Sequence, residues 1–348
     1  MRTLVDRLAT LHTLDADSYR ALLECDSDTE SYLKKRARNI ATEHFGHEIY
    51  VRGLIEISNY CRNNCLYCGL RRDNRNIARY RLSDNEIIEC CAKGYAMGLR
   101  TFVLQSGEDS TLTDSRITNL ISRIADIAPE AAITLSLGER SKDSYTALFN
   151  AGASRYLLRH EAADRQLYSL LHPEDMSWSN RIDCAKSLIA IGYQTGMGMM
   201  VGVPNQTTDH LIEDLLLLQQ MSPQMVGIGP FIPQADTPLG YHTAGSIDLT
   251  LRILAIVRLM LPNALIPATT ALASLDADAR NQAILSGANV VMPNLSPARV
   301  REKYAIYDNK AATASESAEG IASLQQQLNT IGYHLNFSRG DFQQYDRL

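Results

Sequence analysis

EISNYCRNNCLYCGL, Glu56 to Leu70, carries Cys61, Cys65 and Cys68 within fifteen residues, directly after the apolar run Gly53 to Ser58. A short apolar run that breaks into a polar, ligand-rich loop has the character of a parallel strand feeding a βα loop. Outward from this point the pattern recurs. Thr101 to Gln105, Ala132 to Ser136, Ser154 to Leu158, Thr195 to Met200, Met225 to Gly229, Leu265 to Ala268 and Asn289 to Met292 bring the candidate strands to eight.

Segments of helical period separate them. LSDNEIIECCAKGYAMG opens on Ser83 with Glu86 three residues later, a capping box, and stops at Gly98. Further helices are expected over Asp114 to Ile127, Ser177 to Ile191, Asp209 to Gln220, Asp248 to Leu261 and Asp276 to Leu285. Strands alternating with helices over this length predict an α/β fold, a complete (β/α)8 TIM barrel spanning 51–310. An open doubly wound sheet is the competing arrangement. Residues 1–50 read as an N-terminal helical extension and 311–348 as a C-terminal helical tail, with no linker long enough to separate two domains.

The chain has 348 residues, 45% of them hydrophobic, a formal charge of −5 and a pI of about 5.9. Its charges are interleaved, which leaves no footprint for nucleic acid or an anionic membrane. Charges interrupt every apolar stretch of the opening residues, and no window nears eighteen apolar residues, so neither a signal peptide nor a membrane span is expected. A cytoplasmic protein follows, and seven cysteines there are thiols or metal ligands before they are disulfides.

Two metals compete for a Cys-x3-Cys-x2-Cys loop. Structural zinc wants four closed ligands, while Cys25, Cys90, Cys91 and Cys184 fall in helical patterns without ligand spacing. A 4Fe-4S cluster uses soft thiolates, usually four. With three, one iron keeps an open position.

This loop, with Tyr67 just before the third cysteine, closely resembles the radical SAM signature. There the open iron is chelated by S-adenosylmethionine, and reductive C–S cleavage releases a 5′-deoxyadenosyl radical. Other strand ends extend the resemblance. Ser106-Gly107-Glu108 resembles the Gly-Gly-Glu element that holds the methionyl amine, although a plain polar turn would look the same. Ser136 ends the third strand. Arg159, His160 and Glu161 follow the fourth; Arg can pair with a carboxylate and Glu can accept ribose hydroxyls, a surface salt-bridge cluster being the alternative. Arg181 could clamp the same carboxylate or lie in solvent. TGMGMMVGVPNQT, Thr195 to Thr207, resembles the family's Gly-x-Ile-x-Gly element beside the adenine. His12, His172, His210 and His242 lack ligand spacing and read as core or surface.

ISNYCRNNCLYCGLRRDNRNIARYRLSDNEI, VLQSGED, TLSLGE, RYLLRHE, MVGIGPFIPQADTPL, LIPATTA and GANVVMPN together resemble the HydE-type maturases of [FeFe]-hydrogenase, over roughly residues 45 to 310. Methylornithine synthase and biotin synthase share the plan. The HydE resemblance implies one 4Fe-4S cluster on Cys61, Cys65 and Cys68, and S-adenosylmethionine held by Tyr67, Ser136, Glu161 and Arg181. It also implies a substrate cavity lined by Ser106, Arg159, Thr269, Thr270, Met292 and Tyr304, with Tyr307 near its mouth. The implied substrate is a cysteine-bound Fe(CO)2(CN) unit from a partner maturase, attacked at sulfur by the radical. Implied partners are a flavodoxin or ferredoxin donor and a scaffold maturase. The alternative is a mutase acting on an amino acid, as methylornithine synthase does. Some family members carry a second cluster on C-terminal cysteines; none lies in that segment here, so a single cluster is expected.

Overall fold

The computed structural model describes residues 1–310 and 320–343. Nine strands run through the described residues: β1 (Glu48–Val51), β2 (Gly53–Ser58), β3 (Thr101–Ser106), β4 (Ala132–Ser136), β5 (Ala153–Leu157), β6 (Gln194–Val201), β7 (Met225–Pro230), β8 (Val290–Val291) and β9 (His334–Asn336). β2 to β7 form one six-stranded sheet in sequence order with every neighbouring pair parallel. Parallel neighbours need crossovers, and a helix lies between each pair.

Beyond β7 the continuous ladder stops. The expected strand Leu265 to Ala268 forms only single bridges, Met225 to Leu265 and Pro267 to Val290. Pro267 has no N–H to give a ladder. The expected strand Asn289 to Met292 contracts to Val290–Val291, and a bridge from Leu54 to Asn294 joins that segment back to β2. Eight full strands are therefore not what forms: six make a ladder and two segments continue it by bridges.

Two strands lie where only helix was expected. EIYV, at the end of the N-terminal extension, is made of good β-formers and pairs parallel with β8 on one side and β9 on the other. The tail contributes a helix, Ile321–Thr330, then β9. Residues 311–319 and 344–348 of that expected helical tail lie outside the described residues.

Helices Arg2–Leu11, Ala16–Leu23 and Ser27–Phe45 cover the outside, packing on Ile247–Met260. That last helix is apolar almost all round, and ten of its residues are buried because it is covered from both sides. Most helices start on a side-chain cap: Asp15, Asp26, Ser83, Thr113, Ser141, Asp164, Ser177, Thr207 and Ser246 each accept from a backbone N–H in the first turn. No helix among the described residues is long and apolar enough to cross a membrane.

The segment after β9 closes the N-terminal end of the sheet. Arg155, fully buried on β5, donates to Asp341 Oδ1 at 2.7 Å and to the Arg339 carbonyl at 2.7 Å. Thr101 Oγ1 bonds the same carbonyl, and Gln194 bonds Asp341 and the Phe342 N–H. Burial would raise the Asp341 carboxyl, but Arg339 and Arg155 outweigh it and hold it well below the usual carboxylate range. Asp341→Asn should leave Arg155 buried beside a neutral partner and lower stability by about 1–3 kcal/mol, read from urea unfolding at neutral pH.

Candidate active site

The cysteine loop leaves the C-terminal end of β2 and is fastened before any metal binds. Asp109, one side chain past Glu108, accepts from Ser58 Oγ at 2.7 Å, from Arg81 Nε and Nη2 at 2.6 and 3.0 Å, and from Thr111 N and Oγ1 at 3.0 Å each. Ser58 precedes the loop and Arg81 follows it, so one carboxylate pins both ends to the tip of β3. Arg81 also stacks 3.6 Å over the Tyr60 ring. Arg79 spends its guanidinium on four carbonyls, those of Asn59, Leu70, Arg71 and Asn74. At Gly69 the loop meets the returning chain so closely that a Cβ would stand 2.0 Å from the Ala305 carbonyl oxygen, which only glycine permits.

Burial pushes all three cysteine thiols up, Cys68 to about 12, and each of Cys65 and Cys68 is raised further by its cysteine neighbours. Thiols crowded this way ionise when a metal takes the place of the proton. Glu108 N–H points at Cys61 Sγ at 3.4 Å, a donor suited to a thiolate, and Cys65 Sγ lies 3.7 Å from Met176 Sδ. Among the described residues no three His, Cys, Asp or Glu converge closely enough to hold a single ion. A cuboidal cluster asks for something different, three thiolates on three separate corners.

Beside the cysteines stand the groups following β4 and β5. Arg159 Nη2 is 3.1 Å from Glu161 Oε2 and donates to the Met199 carbonyl at 2.6 Å. Arg181, buried, donates to the Arg159 carbonyl and lies 2.7 Å from Glu139 Oε1. Glu161 Oε2, Arg159 Nε and Arg181 Nε make no hydrogen bond within the protein despite these ion pairs, because the approach is off-line. The charges of Arg181 and Glu161 both reach Cys65 and Tyr67, so the structure brings Cys65, Tyr67, Glu161 and Arg181 together. Ser136 ends β4 half-buried, in register with Gln105.

Several participants were not foreseen. His172, read as core or surface, is buried against the loop: its Nδ1 donates to the Tyr168 carbonyl at 2.8 Å, leaving Nε2 to accept from Tyr67 OH at 3.3 Å. Burial, then the charge of Arg181, pushes its pKa down to about 3, so it stays neutral. His160 accepts the Gly198 N–H on Nδ1, and its Nε2 donates to Asp214 at 3.1 Å. Asp214 also takes the Ala163 N–H at 2.7 Å, fixing the turn in which Glu161 holds a left-handed φ of 66°. Asp214 had a signal in the sequence, an acid on the apolar stripe of Leu211, Leu215 and Leu218. Glu139, whose N–H bonds Glu108 Oε1 at 2.8 Å, had none.

The expected substrate residues are split by depth. Gly227 and Gly229 leave one face of β7 bare; Arg159 lies over the first and Thr269 over the second, with Thr269 Oγ1 buried and unbonded. Thr270 starts the helix Thr270–Leu275. Ser106 bonds the Gly107 carbonyl at 2.6 Å. Tyr304 is buried, with Lys310 Nζ 4.7 Å from its ring centroid, and Lys310 forms an ion pair with the buried Glu56. Tyr307 bonds Ser274. Met292 sits with Arg52, Thr134, Met225 and Val290 around a cavity of about 30 Å³.

Residues 55–218 match the Radical SAM superfamily model. Over 300 residues, 86% of this chain and 85% of the relative, the sequence is 43% identical to the [FeFe] hydrogenase maturase subunit HydE of Thermotoga maritima. The chain belongs to the radical SAM superfamily, among the HydE-type maturases. It is also 30% identical to the 3-methylornithine synthase of Methanosarcina acetivorans over 324 residues, 92% of this chain and 89% of the relative. A crystal structure of methylornithine synthase superposes with a TM-score of 0.82 at 26% identity, covering 96% of this chain and 97% of that one. As a radical SAM enzyme of HydE type, the chain works with a 4Fe-4S cluster and S-adenosylmethionine. The residues present fit both: three partly buried thiols with a backbone donor at Cys61, and beside them a carboxylate and guanidinium groups with unused hydrogen-bonding capacity.

Asp109→Asn should cost on the order of 2–4 kcal/mol at pH 7 by leaving Arg81 half-matched beside a neutral amide. Burial alone would raise the Asp109 carboxyl, but Arg81, Ser58 and Thr111 bring it down to about 2 from 3.8. A depressed pKa gives stability that is complete above the unfolded value and lost as pH falls through the folded one. Urea titrations of the metal-free proteins should therefore show the wild-type advantage constant above about pH 4.5 and shrinking from there toward pH 2.

Proposed function

We propose that this radical SAM maturase acts on a cysteine-bound Fe(CO)2(CN) unit during assembly of the [FeFe]-hydrogenase active site. The observation that carries this reading is the convergence of Glu161 and Arg181 on Cys65 and Tyr67 at the C-terminal ends of the strands, where parallel α/β enzymes gather their chemistry. Cys61, Cys65 and Cys68 would hold the cluster, and the cluster would supply the electron that cleaves S-adenosylmethionine to methionine and a 5′-deoxyadenosyl radical. Glu161 accepts the ribose hydroxyls, Arg181 pairs with the methionyl carboxylate, Tyr67 packs beside the loop, and Ser136 offers a hydroxyl from β4. Ser106, Arg159, Thr269, Thr270, Met292 and Tyr304 line the path to the substrate, whose sulfur the radical attacks.

On this reading the bridges through Leu265, Pro267 and Asn294 complete the ring of a (β/α)8 barrel over 51–310, flanked by 1–50 and 311–348. A partner maturase delivers the substrate, a scaffold maturase receives the product, and a flavodoxin or ferredoxin in the cytoplasm supplies electrons. The support for HydE chemistry over an amino-acid mutase is the 43% identity to the curated maturase against 30% to the synthase.

Anaerobic reconstitution should load about four irons per chain, and dithionite with S-adenosylmethionine should then yield 5′-deoxyadenosine. Cys65→Ala should abolish both iron retention and product. Turnover of lysine without any iron complex would favour the mutase reading instead. Glu161→Gln should keep the iron and weaken S-adenosylmethionine binding roughly tenfold or more, the loss expected when a bidentate charge-assisted contact becomes neutral. Unchanged affinity by calorimetry would remove Glu161 from the cofactor site.

A further inference from the structure

Behind Glu161 lies a fully buried pair, His160 in the loop after β5 and Asp214 on the helix Thr208–Met221. Asp214 is an acid on a stripe otherwise made of Leu211, Ile212, Leu215 and Leu218. Its Oδ2 makes no hydrogen bond within the protein, and burial pushes its carboxyl up, which His160 and the Ala163 N–H offset only in part. A carboxylate placed this way costs stability. What it supplies in return is the pair of bonds made by Oδ1.

Those bonds converge on one turn. Oδ1 accepts the Ala163 N–H at 2.7 Å and the His160 Nε2–H at 3.1 Å. The other ring nitrogen, Nδ1, accepts the Gly198 N–H at 3.3 Å, which fixes the tautomer with its proton on Nε2. Glu161, between His160 and Ala163, gives its own N–H to the Gly198 carbonyl at 3.0 Å, and its carbonyl accepts the Met200 N–H at 3.3 Å. It holds φ at 66°, a conformation that glutamate seldom adopts and that surrounding contacts must sustain. The direction in which its side chain leaves the backbone is therefore set by its neighbours, and through them by Asp214, 51 residues beyond Ala163 in the chain.

We propose that His160 and Asp214 are positioning residues, which aim the Glu161 carboxylate at the ribose hydroxyls of S-adenosylmethionine and tie it to β6 at Gly198. The inference rests on the reading that Glu161 accepts those hydroxyls. A carboxylate taking two hydroxyls keeps its strength only in a narrow geometry, and a group held in place beforehand binds without first having to be ordered. Neither His160 nor Asp214 touches the ligand in this role; both act through Glu161. Asn at 214 keeps an oxygen that Ala163 and His160 can use, whereas Val offers them nothing.

The test uses the reconstituted full chain and two ligands, S-adenosylmethionine and its 2′,3′-dideoxyribose analogue, titrated anaerobically by calorimetry. Asp214→Val should weaken S-adenosylmethionine binding about tenfold, the equivalent of one charge-assisted hydrogen bond, and Asp214→Asn less than about twofold. Both should bind the dideoxy analogue as the wild type does, since it brings no hydroxyl for Glu161 to meet, and both should keep wild-type iron. In a Glu161→Ala background Asp214→Val should add less than about twofold, because a residue that acts through Glu161 has nothing further to lose there. His160→Asn keeps a side-chain oxygen for the Gly198 N–H without the reach to Asp214, and carries the expectations of Asp214→Val should that variant not fold. Wild-type affinity in Asp214→Val overturns the positioning role. The same loss for both ligands, or a loss of iron, marks a general structural role and overturns it too. A Glu161→Ala chain that binds both ligands like the wild type strikes the ribose reading and the inference with it; a Glu161→Ala loss that Asp214→Val does not share strikes the positioning alone.

Discussion

The Asp109 carboxylate is the constraint on which the active end of the molecule depends. A loop with three separated thiols packs Cys61, Tyr67, Cys68 and Leu70 on the core, but its remaining conformational freedom opposes metal capture. Asp109 meets that problem with five donor contacts from three segments: the end of β2, the chain leaving the loop, and its own turn. Removing the carboxylate would release both ends of the loop at once. The neighbouring Glu108, pinned by Arg62 and by the Glu139 N–H, extends the same tie to the loop after β4.

Behind that ring of loops the electrostatics are paired but not saturated. Arg181 faces Glu139 and Arg159 faces Glu161, and each pair leaves buried atoms without a well-aligned partner. Buried ion pairs of poor geometry are weak sources of stability. They are well suited to exchange partners with a ligand that carries an ammonium, a carboxylate and hydroxyls, since incoming groups complete bonds that folding left unfinished. His160 and Asp214 hold the backbone under Glu161 from behind, so such an exchange need not disturb the fold.

Much of this was legible in the sequence for identifiable reasons. Runs such as FVLQ and ITLS have no other good use than a buried parallel strand, and capping residues such as Ser83 mark helix starts through a local hydrogen bond. The cysteines announced themselves by spacing. What was missed depends on contacts distant in the chain. EIYV is too short to stand apart from the helix before it until β8 and β9 flank it, whereas Pro267, visible in LIPATTA, was itself a signal against a full strand over 265–268. Asp109 stood in view as part of SGED, but its partners lie 28 and 51 residues away.

The two ends of the sheet are closed differently. At the N-terminal end, Arg155 is buried and matched by Asp341 and the Arg339 carbonyl, and the closing segment is tied to β3, β5 and β6. Arg155 Nε and the neighbouring Arg52 Nε and Nη2 are buried there without a hydrogen bond. At the C-terminal end, Gly227 and Gly229 make room for Arg159 and Thr269, Thr269 keeps an unbonded hydroxyl, and Lys310 pairs with the buried Glu56. One end is closed by the chain returning on itself, and at the other Arg159, Glu161, Arg181 and Thr269 keep buried atoms unbonded where cofactor and substrate would arrive. A radical generated at that mouth would meet a sealed floor, so the open face is the route by which reactants enter and leave.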